Sequence, residues 1–327
     1  MSRTHKPVSG SRGFWPKKRA KRIYNRFSYH PPARNAVPLD FAGYKVGMTQ
    51  VAFVDGRKGS PTMGQEIVQP ATVLNCPSLS VAGIVLYGNA YQGSVSSGVI
   101  WSEKPPKDLE RKTRLPKKHE TRKGIQEAEK GIEDVSDVRL LVSTGPREGG
   151  GKKRPELFEV ALGGDVKQKW EYVKQKLGKE IKADEVFKEG EFVDVRAVTK
   201  GKGFQGPVKR FGVKVRIRKA KKKRRHIGNL GPRQWARVRP GDKPMPGQLG
   251  FQTRTEYNKR ILKIASGKLN PAGGWVNYGE LDGSYMIVHG SIPGPRKRLV
   301  MLRKGARAPD RKDAVEVKHI ALESQQG

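Results

Sequence analysis

The 327-residue chain is poor in acids, almost free of cysteine and without a long apolar run, and each shortage closes off a class of function. Cys76 is the only cysteine, so an intramolecular disulfide is impossible and a cytoplasmic location is expected. The longest apolar run, Val81 to Tyr87, falls far short of the ~20 residues of a spanning helix, and the opening "MSRTHKPVSG" has no apolar signal-peptide stretch. No membrane association is expected. His5, His30, His119, His226, His289 and His319 are scattered, and none has a second His or Cys at ligand spacing, so no metal site is expected. "GYKVGMTQ" lacks the Lys-Ser/Thr ending of a phosphate-binding loop. The sequence offers no catalytic residue, cofactor site or small-molecule substrate site.

What it has is cation. There are 67 Lys and Arg against 31 Asp and Glu, a formal net charge of +36. Such a chain repels itself unless some of the charge projects outward to meet an anion, most often nucleic acid. The excess is clustered. Residues 1 to 35 carry ten Lys or Arg and no acid, and residues 200 to 260 carry twenty against only Asp242 and Glu256. Two basic arms on a nearly neutral body is the expected plan.

The body reads as mainly β. "FAGYKVGMTQVAFVD" (41 to 55) and "IVQPATVLNC" (67 to 76) are Val- and aromatic-rich runs bounded by Gly and Pro, which predicts strands. "LSVAGIVLYG" (79 to 88) is nearly all apolar and predicts a strand buried on both faces. From Pro105 to about residue 190 the chain turns Lys/Glu-rich. There Val166, Trp170, Val173, Leu177 and Ile181 form one helical stripe, opened by the capping-box pair Asp165 and Gln168. "GIQEAEKGIEDV" (124 to 135) predicts a second helix, and 138 to 144 and 158 to 164 predict strands. Further strands are expected at 191 to 199, at 275 to 288 with a hairpin turn at Asp282-Gly283, and at 296 to 304. A β-barrel or sandwich interrupted by a helical insertion is the simplest architecture.

"VTKGKGFQGPVKRFG" places Gly201, Gly203 and Gly206 in G-x-G-x-x-G spacing. A dinucleotide turn would lead into a long amphipathic helix and carry an acid about 20 residues on. Here Pro207 is followed by β-like alternation and then a basic run, with no acid between Asp194 and Asp242. Lys202, Gly203 and Phe204 start like an RNA-recognition-motif signature, which Gln205 breaks. One surviving reading is a backbone that approaches a nucleic-acid strand closely, with Lys200, Lys202, Lys209 and Arg210 supplying charge. The other is a plain glycine-rich turn with solvated lysines.

In "KVRIRKAKKKRR", Val215 and Ile217 alternate with Lys214, Arg216 and Arg218, which predicts an ordered strand or ribbon before Lys221, Lys222, Lys223, Arg224 and Arg225. Next come Gly228, Gly231 and Trp235, the last among Arg233, Arg237 and Arg239, with Arg254, Lys259 and Arg260 downstream. This block has too few apolar side chains for a core of its own. Folded RNA would order it, through phosphates on the cations and bases on Trp or Arg planes, at roughly 1–3 kcal/mol per stacked base. Trp235 either stacks in this way or anchors the arm to the body. The N-terminal "SRGFWPKKRAKRIYNRF" repeats the pattern, with Phe14 and Trp15 beside Arg12, Lys17, Lys18, Arg19, Lys21 and Arg22. The competing classes are an RNA-modifying enzyme with basic arms and an architectural protein of duplex DNA.

"GFWPKKRAKR", "FAGYKVGMTQV", "VTKGKGFQGPVKRFG", "IGNLGP", "GQLGFQTRTEYNKRI" and "HGSIPGPRKRLVMLR" together resemble the universal large-subunit ribosomal protein L three family, in its archaeal form. The resemblance implies a six-stranded translation-protein-type β-barrel with an α/β insertion and long basic non-globular extensions. It implies a non-catalytic primary rRNA binder that supports early subunit assembly, with neighbouring large-subunit proteins near the factor-binding site as further partners. The cations named above, from Arg12 to Arg260 and apart from Arg233, then become rRNA contacts together with Phe14 and Trp15, and Gly201, Gly203, Gly206, Gly228 and Gly231 places where backbone approaches RNA. The central loop would reach toward the peptidyl-transferase centre with Arg233, Gln234 and Trp235 at its tip. The family's loop-tip tryptophan directly follows the block matching "GNLGP"; here Arg233 stands there and Trp235 two residues later, so either can fill the tip. The implied division is 1–37 N-terminal extension, 38–104 first barrel segment, 105–190 insertion, 191–213 barrel strand and glycine-rich loop, 214–260 basic loop extension, and 261–327 closing barrel segment with the C-terminal tail.

Overall fold

β-branched and aromatic runs become strands wherever the sequence places them over a buried face. The computed structural model describes residues 14–91, 93–116, 120–145, 147–148, 151–229, 243–309 and 315–324. In chain order the elements are β1 (Asp40–Asp55), β2 (Glu66–Asn75), β3 (Leu79–Ala90), β4 (Gly93–Trp101), α1 (Thr121–Lys130), β5 (Val135–Thr144), β6 (Leu157–Ala161), α2 (Val166–Lys176), β7 (Glu180–Ile181) and α3 (Ala183–Val186). They continue with β8 (Phe192–Val198), β9 (Phe204–Gln205), α4 (Pro207–Phe211), β10 (Gly247–Gln248), β11 (Thr253–Lys268), β12 (Asp282–His289), β13 (Leu299–Lys304) and β14 (Val315–Ile320). The chain divides into two units, a small one of residues 1–23 with 198–254 and a large one of residues 24–197 with 255–327.

The large unit holds two sheets. The first has the order β13-β8-β11-β12-β2-β1-β14, and β13 pairs β1 as well, so six of its strands follow one another in a closed cycle of pairings. The second runs β4-β3-β5-β6, with β7 paired to β3. The inward faces merge into one core containing Phe41, Tyr44, Leu74, Ile84, Leu140, Ile287 and Val300, all fully buried. Each such side chain contributes about 1.5–3 kcal/mol by leaving water. Several polar groups inside are paired. Tyr44 on β1 donates to Glu156 and lies 2.9 Å from Thr144 Oγ1 of β5; Glu156 also accepts from Lys152 Nζ at 2.5 Å. Burial pushes the Tyr44 hydroxyl far above its ordinary pKa, so it stays a donor. Burial likewise pushes the Cys76 thiol up to about 12 and keeps it inert.

Three expectations of local structure change. The stripe from Val166 to Ile181 is helical only to Lys176, because Leu177 turns extended and Gly178 takes a left-handed φ of +76°. Ile181 reaches the same core from β7, opposite Leu79, while the Asp165–Gln168 capping box is present as expected. The helix expected over 124 to 135 runs Thr121–Lys130; Gly131 ends it and Val135 already begins β5. The strand expected over 275 to 288 shrinks to β12, and Asp282-Gly283 is no turn but pairs with Lys268 and Gly267 of β11. The preceding segment coils around Trp275 instead, whose indole Nε1 donates to Leu269 O at 2.7 Å. The buried indole lies against Gly47 so closely that an added Cβ there would sit 2.5 Å from Cε3.

Candidate nucleic-acid interface

The small unit is where the cations gather. It contains 26 Lys or Arg and one acid, Asp242, leaving 41 and 30 of the chain's 67 and 31 for the large unit. That is a net charge of +25 on 80 residues against +11 on 247. Its described residues include no carboxylate at all, so none of their cations is neutralised by another of them. These residues also make almost no core: only Val198, Pro207, Gly250 and Gln252 are buried. What orders the unit is backbone pairing and a few specific clamps.

The glycine-rich stretch is a tight ribbon. Gln205 and Phe204 of β9 pair antiparallel with Gly247 and Gln248 of β10. Lys202 N donates to Leu249 O at 3.0 Å, and Leu249 N returns to Gly203 O at 2.9 Å. Gly203, at φ +65°, takes a backbone conformation that side chains disfavour, and its Cβ direction is open space. Gly201 and Gly206 need no such conformation, but both are exposed beside Lys200, Lys202 and Lys209, also exposed. The glycine of this ribbon with the tightest surroundings is one the sequence pattern does not mark. A Cβ on Gly250 would lie 2.1 Å from Lys200 O, at φ +73°.

After the ribbon comes α4, five residues with Pro207 at its first turn and left-handed Gly212 as its end. A dinucleotide fold needs a long helix there. The strand or ribbon expected around Val215 and Ile217 is absent: residues 212–217 have no regular structure, and a short 3-10 segment, Arg218–Lys223, follows. Uncompensated repulsion among adjacent cations opposes flat pairing, and one backbone bond, Arg216 N to Arg224 O at 3.1 Å, closes this loop on itself. Lys214, Arg216, Arg218, Lys221, Lys222, Lys223, Arg224, Arg225 and Gly228 are all exposed.

The N-terminal segment docks on this ribbon. Trp15 stacks on Phe211 with ring centroids 4.7 Å apart at 24°. Pro16 O accepts from Arg210 Nη2 and from Gln252 Nε2, each at 3.3 Å, and Ala20 N donates to Phe251 O at 2.8 Å. Arg210 also donates to Met245 O at 2.8 Å, which makes it a clamp between three segments rather than a free cation. The result is an open groove of about 610 Å³ lined by Lys18, Arg19, Ala20, Lys21, Gln248 and Phe251. A smaller one of about 230 Å³ is lined by Trp15, Lys17, Arg210, Phe211 and Lys243 with Met245, Pro246 and Gly247. Phe14 and Phe204 stand out from this surface, 92% and 76% exposed.

Of the remaining expected contacts, Arg22 and Arg254 are exposed in the small unit. Lys259 and Arg260 belong to β11 in the large unit; Lys259 pairs with Glu256 at 2.8 Å and Arg260 is buried. Arg12, Gly231, Arg233, Gln234, Trp235, Arg237 and Arg239 lie outside the described residues. Nothing in the sequence marks Phe211 and Gln252 as docking partners of Trp15 and Pro16, because a partner so far along the chain leaves no local signal. Phe204 does carry a signal, as the exposed aromatic after Lys202-Gly203.

Among the described residues no group of His, Cys, Asp and Glu is arranged to hold a metal ion, and no helix is long and apolar enough to cross a membrane. The family model described as Ribosomal protein L3 matches residues 1–327. The chain belongs to the ribosomal protein L3 family. As a member it is a ribosomal protein and not an enzyme. It is similar to the large ribosomal subunit protein uL3 of Methanothermobacter thermautotrophicus, 43% identical with all of both chains covered. The protein of that name from Methanosphaera stadtmanae is 44% identical, again over the whole of both chains. That of Archaeoglobus fulgidus is 42% identical over 99% of each.

Proposed function

We propose that the chain is a structural, non-catalytic constituent of the large subunit of the cytoplasmic ribosome, and that its small unit is the principal rRNA-binding surface. One observation carries this: the small unit concentrates +25 of the chain's +36 on a surface whose described residues include no carboxylate and have almost no core. A polyanion supplies the missing counter-charge. Lys18, Arg19 and Lys21 meet phosphates along one wall of the open groove, with Lys17 at the smaller groove and Arg22 next along the chain. Lys200, Lys202 and Lys209 do so around the exposed glycines, and Phe14 and Phe204 offer flat faces to unpaired bases.

On this reading the cycle of six paired strands in the large unit is the translation-protein-type barrel, and the second sheet with α1 to α3 is its insertion, which takes in β3 and β4 and so begins ahead of the expected residue 105. The loop from Lys214 onward runs inward through rRNA toward the peptidyl-transferase centre, with Arg233, Gln234 and Trp235 at its tip. Arg210 and Arg260, clamped and buried, are left to hold the protein together. The chain joins the subunit early, beside other large-subunit proteins near the factor-binding site.

The test is binding of the full chain to a large-subunit rRNA fragment as salt is varied. Each phosphate neutralised contributes a slope of about −0.7 to −0.9 in log affinity against log salt, so the many contacts expected here give a steep line. A flat line would remove the electrostatic mechanism.

A further inference from the structure

The large unit has a second cationic feature that its barrel does not need. Phe27, Tyr29, Arg196, Tyr257, Arg303 and Arg307 are among the residues around a pocket of about 310 Å³. Its floor is rigid. Asp194, fully buried, accepts from Arg303 Nε at 3.1 Å and Nη2 at 2.9 Å, and from the backbone N–H of Asn258 and of Ala306, each at 3.1 Å. Arg303 spends its remaining Nη1 on Tyr29 O and lies over the Phe27 ring at 4.6 Å. That pair is neutral and fully used.

The two other arginines are not. Arg196 has a buried Nε with no hydrogen-bond partner among the described residues, and no carboxylate is paired with it there. Burial and the neighbouring Arg303 charge lower its pKa, which means its cation sits where a counter-anion would be welcome. Arg307 is exposed, lies over the Tyr257 ring at 5.4 Å and has no acid partner among the described residues. Tyr257 and Tyr29 are 47% and 60% exposed at the rim; Arg307 covers one face of the first and Arg303 lies over the second at 5.9 Å, which leaves part of each ring open.

We propose that this pocket binds one unstacked nucleotide of RNA, its phosphate neutralised by Arg196 and Arg307 and its base laid against Tyr29 or Tyr257. Cationic groups on the walls select an anion, and two exposed aromatic rims select a planar group attached to it. A carboxylate-bearing peptide would satisfy the arginines but leave both rings unused. The site belongs to the large unit alone and rests on the reading that this chain binds rRNA.

Photo-cross-linking of the full chain to a short single-stranded oligoribonucleotide containing thiouridine, with peptide mapping, tests it. Cross-links are expected on the peptides of Tyr29 or Tyr257 and, separately, on those of Trp15 or Phe204 in the small unit. Arg307→Ala, on an exposed side chain, should lower the first set about ten-fold and leave the second unchanged, the size expected for losing one charged contact to a stacked nucleotide. Arg196→Ala should do the same. Small-unit cross-links alone in the wild type, or Tyr29 and Tyr257 cross-links indifferent to both substitutions, would overturn the pocket. Displacement of those cross-links by polyglutamate more readily than by unlabelled oligoribonucleotide would overturn it in favour of an acidic protein. Absence of cross-links in both units would overturn the RNA-binding reading as well.

Discussion

The two units solve the problem of order in opposite ways. The large unit buries Phe41, Tyr44, Leu74, Ile287 and their neighbours, and spreads 41 cations among 30 acids. Many of those acids are in ion pairs, such as Asp194 with Arg303 and Glu159 with Arg26 and Arg139. The small unit has 26 cations, one acid and four buried residues among those described. It is held by Trp15 on Phe211, by the Pro16 carbonyl and by a two-residue pairing of β9 with β10. On the proposed reading, the difference teaches that one chain can carry a surface whose stability is completed from outside, provided the rest of it folds on apolar burial and paired charge.

The sharpest way to break that contrast is to remove charge from one side only. Replacing residues 214–242 with a short Gly/Ser linker deletes twelve of the small unit's 26 cations and keeps β9, β10 and the Arg210–Met245 bond. Affinity for a large-subunit rRNA fragment at moderate salt is expected to fall by about a thousand-fold or more, with a shallower salt slope. The melting transition of the large unit should not move, because none of its core residues is touched. A parallel loss of melting temperature would show that the loop stabilises the large unit.

The converse cut is Asp194→Ala. It strips a fully buried carboxylate from Arg303, itself buried, and orphans two backbone N–H groups. Breaking one partner of a buried pair costs about 3–5 kcal/mol, read by denaturant unfolding of the large unit. Salt-dependent RNA binding through the small unit should persist in whatever fraction stays folded.

How much of this is written in the sequence depends on range. Strands such as β1, β2 and β3 are legible because their own side chains carry the pattern, and the charge split is legible by counting. β11 is not, although at 16 residues it matches β1 as the longest strand. Its "TRTEYNKRILKIASGK" mixes cations into the alternation, and burial is concentrated at Arg260, Ile261 and Leu262. The Trp275 coil is hidden too, since Asp-Gly reads as a turn and the indole's partner, Leu269 O, is a backbone atom. In the candidate interface the cations and the glycine-rich loop are legible, while its pairing as β9 with β10 and the docking of Trp15 on Phe211 are not. The glycine triplet marks this loop and passes over Gly250.

Gly250→Ala therefore sharpens the comparison inside the small unit. The new Cβ would meet a backbone carbonyl, which cannot swing away as a side-chain tip can, and the left-handed φ adds strain. Roughly 1–3 kcal/mol of local cost is expected from the backbone conformation alone. Hydrogen exchange at Lys202 and Leu249, whose backbone N–H groups bridge the ribbon, should speed up, while exchange in β1 and β3 stays as it was. RNA affinity should fall less than in the loop replacement, because every cation remains.

The smallest expected effect separates the units by what perturbs them. His289 on β12 is bonded to Gln69 on β2, and its pKa is lowered by burial first and then by the charges of Lys259, Arg260 and Arg57. The unfolded chain takes up a proton at this site near the ordinary histidine value of about 6.5, while the folded chain does so only at lower pH. More protons are then bound by the unfolded state, so stability rises with pH across this window. The contribution is fully present above about pH 6.5 and is lost as pH falls through the folded value. Thermal unfolding of the large unit should show a modest downward slope as pH is lowered below about 6.5, flattened in His289→Gln. Salt should leave that slope nearly untouched, because the group is half-buried and poorly screened, while it dominates RNA affinity through the small unit. A slope that appeared in RNA affinity instead of melting would place the titrating group in the small unit rather than at His289.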